Sequence, residues 1–145
     1  MKHMTKAGAA ALITLFAGVA QANEQVLHYE PAVVGLVGTI RMERHYGPPN
    51  FGQTPHRDMV ENVPVLILDT PVTVQGNPSS PMDGDSFSHV SRIQLVIAKP
   101  GATDLSAYFG KPILATGRLF EKVSGENFTN VLLDVQRIGP ASGVR

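Results

Sequence analysis

Imidazole and carboxylate side chains lie close together in one segment of the chain. His45 and His56 are eleven positions apart, and Glu43, Asp58 and Glu61 lie in the same region. Side chains of these types can bind zinc or copper, or act as general base and acid in a hydrolase. The eleven-residue interval matches no established ligand spacing, and the chain has no Gly-x-Ser-x-Gly turn. The sequence therefore predicts no metal ligand and no catalytic residue, and leaves a small hydrolase and a metal-binding protein as alternatives.

The same segment is also rich in residue types that bind other molecules. Residues 44–62 are predicted to form a long irregular loop, in which aromatic and cationic side chains surround the Gly47-Pro48-Pro49 step. Proline lowers the entropy that a loop loses when it is ordered. We expect this loop to recognise a protein or an envelope ligand; the alternative is that its aromatic rings pack back onto the domain. The predicted contact residues are Tyr46, Phe51, His56 and Arg57, with Arg118 on the outer face of a later hairpin.

Composition excludes several other functions. The chain has 145 residues with 12 basic and 12 acidic side chains, whereas general nucleic-acid binders have a basic excess. It has no Gly-x-Gly-x-x-Gly or phosphate-loop motif, so no nucleotide cofactor is expected. It has no cysteine, so neither thiol catalysis nor a disulfide is possible. The sequence predicts no cofactor and no nucleic-acid partner.

The first 22 residues have the pattern of an export signal. Lys2 and Lys6 precede an uncharged run from Ala7 to Ala20, and Ala20-Gln21-Ala22 has the small residues that signal peptidase requires. The run has 14 residues, fewer than a helix needs to span a bilayer. We therefore expect cleavage after Ala22, a periplasmic location and no stable membrane insertion of the mature chain. An uncleaved anchor or a buried helix is the alternative. Cleavage leaves 10 basic and 12 acidic side chains, a formal charge of −2.

Alternating polarity predicts a small all-β domain. Five segments alternate with the period of a strand, and a short helix is expected near residues 105–109, between the third and fourth strands. This order is that of a five-stranded OB-fold-like barrel, with an open β-sandwich as the alternative. We expect one domain over residues 23–138 and a flexible tail over 139–145. The predicted strands cover residues 33–43, 65–69, 90–98, 113–119 and 131–136, and a continuation of the second strand over residues 72–75 is left open.

A set of short motifs resembles one family of exported bacterial domains, the domain of unknown function family 4431. The resemblance extends from Tyr29 to Ile138 and implies the compartment and an OB-like fold. It implies no activity. In chain order the motifs are Tyr29-Glu30-Pro31, Gly47-Pro48-Pro49-Asn50-Phe51, Leu66-x-Leu68-Asp69-x-Pro71, Ile93-Gln94-Leu95-Val96, Gly110-Lys111, Gly117-Arg118-Leu119-Phe120 and Val131-Leu132-Leu133.

Overall fold

A computed structural model describes residues 23–98 and 104–141. The predicted export signal, residues 1–22, lies outside the described residues. The described part contains six strands and one short 3-10 helix. The strands are β1 (Gln25–His28), β2 (Val33–Tyr46), β3 (Val60–Gln75), β4 (Phe87–Val96), β5 (Ile113–Glu121) and β6 (Val131–Pro140).

Five of these strands close into a barrel. β2 pairs antiparallel with β3 and β5, β3 with β4, and β5 with β6, while β4 and β6 pair in parallel and complete the ring. The predicted five-stranded OB-fold-like barrel is confirmed. The open β-sandwich is not formed, because the β3–β4 and β4–β6 ladders leave no gap in the ring.

An additional strand is present, and the expected helix is shorter than predicted. β1 is an additional strand that pairs in parallel with the end of β3, so that Gln25 faces Val72 and His28 faces Gln75. The expected helix is one 3-10 turn, Leu105–Tyr108, which begins at Asp104, whose side chain accepts a hydrogen bond from the Ser106 amide. Leu105 and Tyr108 pack against the interior of the barrel.

No helix in residues 23–98 or 104–141 is long and apolar enough to cross a membrane.

The interior of the barrel is built from the apolar positions of the alternating strands. In β2 the buried side chains Val34, Leu36 and Ile40 alternate with more exposed ones. Gly38 continues this series at the position where β2 pairs with both Leu68 of β3 and Ile113 of β5. A Cβ atom at this position would collide with the Ile67 backbone, so glycine is required where the two neighbouring strands converge on β2.

The predicted loop over residues 44–62 is shorter in the structure. β2 and β3 remain paired through nine consecutive residue pairs, from Gly38↔Leu68 to Tyr46↔Val60, so that the connecting loop covers only residues 47–59. Apolar alternation stops near Met42, but backbone hydrogen bonding between the two strands continues beyond it. At the other end of the chain β6 extends to Pro140, beyond the domain boundary expected at residue 138.

Candidate functional site

The 47–59 loop is organised around one carboxylate. Asp58 is buried, and its two carboxylate oxygens accept hydrogen bonds from the backbone amides of Asn50, Gly52 and Thr54 at 2.8–3.2 Å. The Gly47 amide also donates to the Met59 carbonyl, which closes the base of the loop. These bonds connect the first half of the loop to its last residues. The loop therefore has a defined backbone conformation although it contains no regular secondary structure.

The same hydrogen bonds control the ionisation of Asp58. Burial by itself disfavours the charged carboxylate and raises its pKa. The amide donors of Asn50, Gly52 and Thr54 act in the opposite direction and outweigh burial, so that the pKa of Asp58 lies below its ordinary value. Asp58 is consequently an ionised structural anchor at neutral pH. Its carboxylate oxygens accept hydrogen bonds from the loop backbone.

A second loop, residues 122–130 between β5 and β6, packs against this region. The imidazole ring of His45 stacks on the ring of Phe128, with ring centroids 4.2 Å apart. Phe51 lies directly over Gly125, where a Cβ atom would be only 2.9 Å from Cζ of the phenyl ring. Two segments about 75 positions apart in the sequence are thereby brought together. Each loop limits the movement of the other.

Polar contacts fix the 122–130 loop to the outer face of the barrel. Gln94 accepts a hydrogen bond from the Phe128 amide at 2.7 Å through Oε1 and donates to the Glu126 carbonyl through Nε2. Gln94 lies between Val65 and Leu132 in the strand register, and both of these side chains are fully buried without belonging to the interior core. The loop therefore lies over a small apolar patch on the outside of the barrel.

A charged cluster lies beside these contacts. The guanidinium of Arg92 binds both carboxylate oxygens of Glu43, and Nε2 of His45 lies 3.0 Å from the same carboxylate. Partial burial raises the pKa of Glu43, but the hydrogen bonds from Arg92 and His45 lower it by more, so that its net pKa lies below the ordinary value. The cluster orients the His45 ring that stacks on Phe128. Glu43 therefore helps to hold the His45 ring against Phe128.

Most of the predicted contact residues lie in or next to the 47–59 loop. Tyr46 and Phe51 are 39% and 46% exposed, and Gly52 lies against the Tyr46 ring. His56 and Arg57 are exposed on the same loop. Arg118 is exposed but pairs in register with Val33, at the opposite end of β2 from Tyr46. The structure thus brings the first four residues into one region and leaves Arg118 apart from them.

Two further exposed apolar residues, which the sequence pattern does not identify, lie beside these contact residues. Met59 is 61% exposed, and Val60 is 44% exposed directly across the ladder from Tyr46. We call Tyr46, Phe51, Met59 and Val60 the loop surface. Met59 and Val60 directly follow Asp58, so the register of β3 decides their position. The alternation of buried and exposed side chains in β3 begins only at Val63. The sequence around Met59 and Val60 therefore contains no local pattern that predicts the register of β3.

His45 and Asp58 make separate sets of contacts in the structure. His45 contacts Glu43 and Phe128, whereas the carboxylate of Asp58 is surrounded by loop amides. His45 and Asp58 are therefore not paired with each other. Within the described ranges, no group of three or more histidine, cysteine, aspartate or glutamate side chains is arranged to hold a metal ion.

Comparison with known proteins gives one family match. A search of curated proteins finds no match to the chain. A family model described as "Domain of unknown function (DUF4431)" matches residues 92–139, which extend from Arg92 in β4 to Gly139 in β6. This range includes the 122–130 loop and the four later motifs of the resemblance; the three earlier motifs precede it. The match to residues 92–139 supports membership of the chain in the DUF4431 family.

Proposed function

We propose that this protein is an exported, non-catalytic binding module that recognises a partner protein through the loop surface. The observation that supports this is the combination of exposure and order at that surface. Tyr46, Phe51, Met59 and Val60 are each at least 39% exposed, yet they lie on or directly beside the 47–59 loop, which is fixed by Asp58 and by the 122–130 loop. Tyr46 and Val60 are paired across the β2–β3 ladder, Met59 directly precedes Val60, and clustered exposed apolar side chains are typical of interaction sites.

Order at this surface favours binding for a thermodynamic reason. A loop that is already held in one conformation loses little further conformational entropy when a partner docks. Three backbone amides donate hydrogen bonds to Asp58, and Phe51 contacts Gly125. These contacts order the loop before any partner is present. Aromatic anchors such as Tyr46 are also enriched among the residues that dominate binding energy. Both features support protein recognition as the proposed function.

Export to the periplasm is part of the same proposal. It is supported by the basic, apolar and small-residue pattern of residues 1–22. β1 begins at Gln25, so cleavage after Ala22 would leave every described strand intact. Expression of the full chain in a Gram-negative host, osmotic-shock fractionation and intact-mass measurement would test this. We expect a periplasmic product that begins at Asn23, and a cytoplasmic product that retains residues 1–22 would overturn the export proposal.

Binding is best tested by capture from a periplasmic extract with matched variants. The immobilised mature protein is compared with the double variant Tyr46→Ser/Val60→Ser and with Val33→Ser, whose side chain is 53% exposed at the other end of β2. We expect a protein that is retained by the wild type and by Val33→Ser but lost from the double variant. Thermal unfolding of all three proteins verifies that they are folded. Equal retention by folded wild type and double variant would contradict the proposal.

A further inference from the structure

β2 leaves one backbone edge without a strand partner in the described part of the protein. It pairs with β5 only from Val33 to Gly38, and with β3 from Gly38 to Tyr46. Beyond Gly38, the side of β2 that faced β5 therefore has no neighbouring strand among residues 23–98 and 104–141. We call Thr39–Tyr46 the β2 edge. An edge of eight residues is long enough to accept another strand through backbone hydrogen bonds.

The geometry of the β2 edge is regular. The β2–β3 ladder contains nine consecutive pairs without a register shift, and no proline or bulge interrupts β2 there. β4 provides a contrast within the same barrel. Its pairing with β3 shifts register between Val90 and Phe87, and His89 in that interval has a φ of 53°. A bulge of this kind disrupts the addition of a further strand. The β2 edge is therefore a better template for strand addition than β4.

Two arginines on this edge have no acidic partner. Arg41 and Arg44 are exposed, and neither forms an ion pair with any described carboxylate. Glu43, the acid between them, is already bound by Arg92 and His45. The residues outside the described ranges contain no aspartate or glutamate. Because Arg41 and Arg44 are three positions apart in a strand, their side chains lie on opposite faces of the sheet.

These observations define the chemistry of a complementary strand. Such a strand would place one carboxylate opposite Arg41 on one face and another opposite Arg44 on the other face. Met42 and Tyr46 are partly exposed on the same face as Arg44, so apolar side chains are favoured between the acids. A second copy of this chain is a poor occupant. Glu43 is the one acid on the β2 edge and is already bound by Arg92 and His45, so a copy of this edge offers no free carboxylate to Arg41 and Arg44.

We propose that the partner binds by adding an extended acidic segment, with carboxylates three positions apart, to the β2 edge. This inference rests on the proposed binding function and specifies its partner. Tyr46 belongs to both the loop surface and the β2 edge, so the added strand would run into the loop surface. The backbone of β2 supplies affinity in this mode, while Arg41, Arg44 and Met42 supply the preference for sequence.

A capped peptide of defined sequence tests the proposal without knowledge of the natural partner. The probe is Thr-Val-Glu-Val-Thr-Glu-Val-Thr, added to the isotope-labelled mature protein and followed through its amide resonances. One control peptide has lysine in place of both glutamates, and another has methyl groups on alternate backbone nitrogens. We expect resonance changes concentrated at residues 39–46 with the probe, and at least ten-fold weaker binding of both controls.

Variants of the protein complete the test. Arg41→Glu/Arg44→Glu is expected to weaken probe binding at least ten-fold, whereas Arg137→Glu, at an exposed arginine on β6, leaves it unchanged. If the charge reversal unfolds the protein, Arg41→Gln/Arg44→Gln replaces it. Absence of probe binding, equal binding of the lysine peptide, resonance changes elsewhere, or dimerisation through residues 39–46 would each overturn the proposal.

The capture from a periplasmic extract distinguishes failure of the strand-addition proposal from failure of the proposed binding function. A natural partner retained by Arg41→Glu/Arg44→Glu but lost from Tyr46→Ser/Val60→Ser would leave the loop surface as the binding site and refute strand addition. Loss of the partner from both folded variants is expected if an acidic strand binds the β2 edge. Retention by both would refute the two proposals together.

Discussion

The rings of His45 and Phe128 lie nearly parallel, 13° apart, and join the end of β2 to the loop before β6. His45 is held from one side by Glu43, while the Phe128 amide donates to Gln94. The stacked pair is therefore fixed at both ends by hydrogen bonds to different strands. It is a structural connection between the end of β2, which leads into the 47–59 loop, and the 122–130 loop.

Replacement of Phe128 by alanine should loosen this connection. The variant loses the stacked contact with His45. For a half-buried aromatic side chain we expect a decrease of about 1–3 kcal/mol in the free energy of unfolding. Urea denaturation followed by circular dichroism measures this. Phe109→Ala, at a 40% exposed ring, serves as the control and should cost less than about 1 kcal/mol. Equal costs for the two variants would show that the stack contributes nothing specific.

Asp58→Asn should release the 47–59 loop while the barrel remains folded. The amide side chain has one carbonyl oxygen in place of two charged oxygens, so it cannot accept all the bonds from Asn50, Gly52 and Thr54. We expect faster hydrogen exchange at these three amides and unchanged exchange at Leu66 in the core. Asp69→Asn, at an exposed position on β3, is the matched control. Unchanged exchange of the loop amides would mean that Asp58 does not hold the loop.

Stability should decrease in mild acid because of two carboxyl groups. The pKa values of Asp58 and Glu43 are both lowered in the folded state. Their ionised forms therefore stabilise the folded protein above their unfolded pKa values of about 4, and this stabilisation is lost as the pH falls through the lower folded values. We expect a urea midpoint that is steady from about pH 5 to 7 and falls below about pH 4.

The contribution of Glu43 to this decrease can be isolated by substitution. Glu43→Gln should lower stability at neutral pH and make the acid decrease smaller, because the variant has one fewer carboxylate to protonate. Glu126→Gln, which also removes one carboxylate, from an exposed position in the 122–130 loop, is measured alongside as the matched variant. Identical profiles for Glu43→Gln and the wild type would rule out a contribution from the cluster of Glu43, Arg92 and His45.

Gly38→Ala should be strongly destabilising. A methyl group there would collide with the Ile67 backbone, and both neighbouring strands hold β2 in place. We expect a loss of about 1–3 kcal/mol or more in the free energy of unfolding. Gly139→Ala is the control, since a Cβ atom at that position of β6 has no neighbour within 4 Å. A tolerated Gly38→Ala would mean that β2 and β3 can separate without cost.

The sequence predicts the barrel because its strands alternate where one face is buried. Leu36 and Ile40 in β2, or Ile113 and Ala115 in β5, show this pattern directly. The pattern fails where a strand is not half-buried. β1 has Leu27 as its one buried residue, and the paired residues beyond Met42 are largely exposed, so β1 is missed and the loop is drawn too long.

The candidate site is predictable only in part, for a related reason. Tyr46 and Phe51 are recognisable as aromatic residues beside glycine and proline. The contacts that order them, Phe51 on Gly125 and His45 on Phe128, join segments far apart in the chain and have no local pattern. Asp58 is visible in the sequence as an acid, but its role depends on the path of the loop backbone around it.

The pairing of β2 with β5 has a consequence for the kinetics of folding. Val33 pairs with Arg118, 85 positions later in the chain, so the ring cannot close until β5 and β6 have been synthesised. Domains whose contacts are this distant in sequence fold slowly, on a scale of about milliseconds to seconds. A nascent chain of this protein therefore stays open for most of its synthesis. That delay suits the proposed export route, since an unfolded polypeptide can be threaded through a narrow channel before the barrel forms.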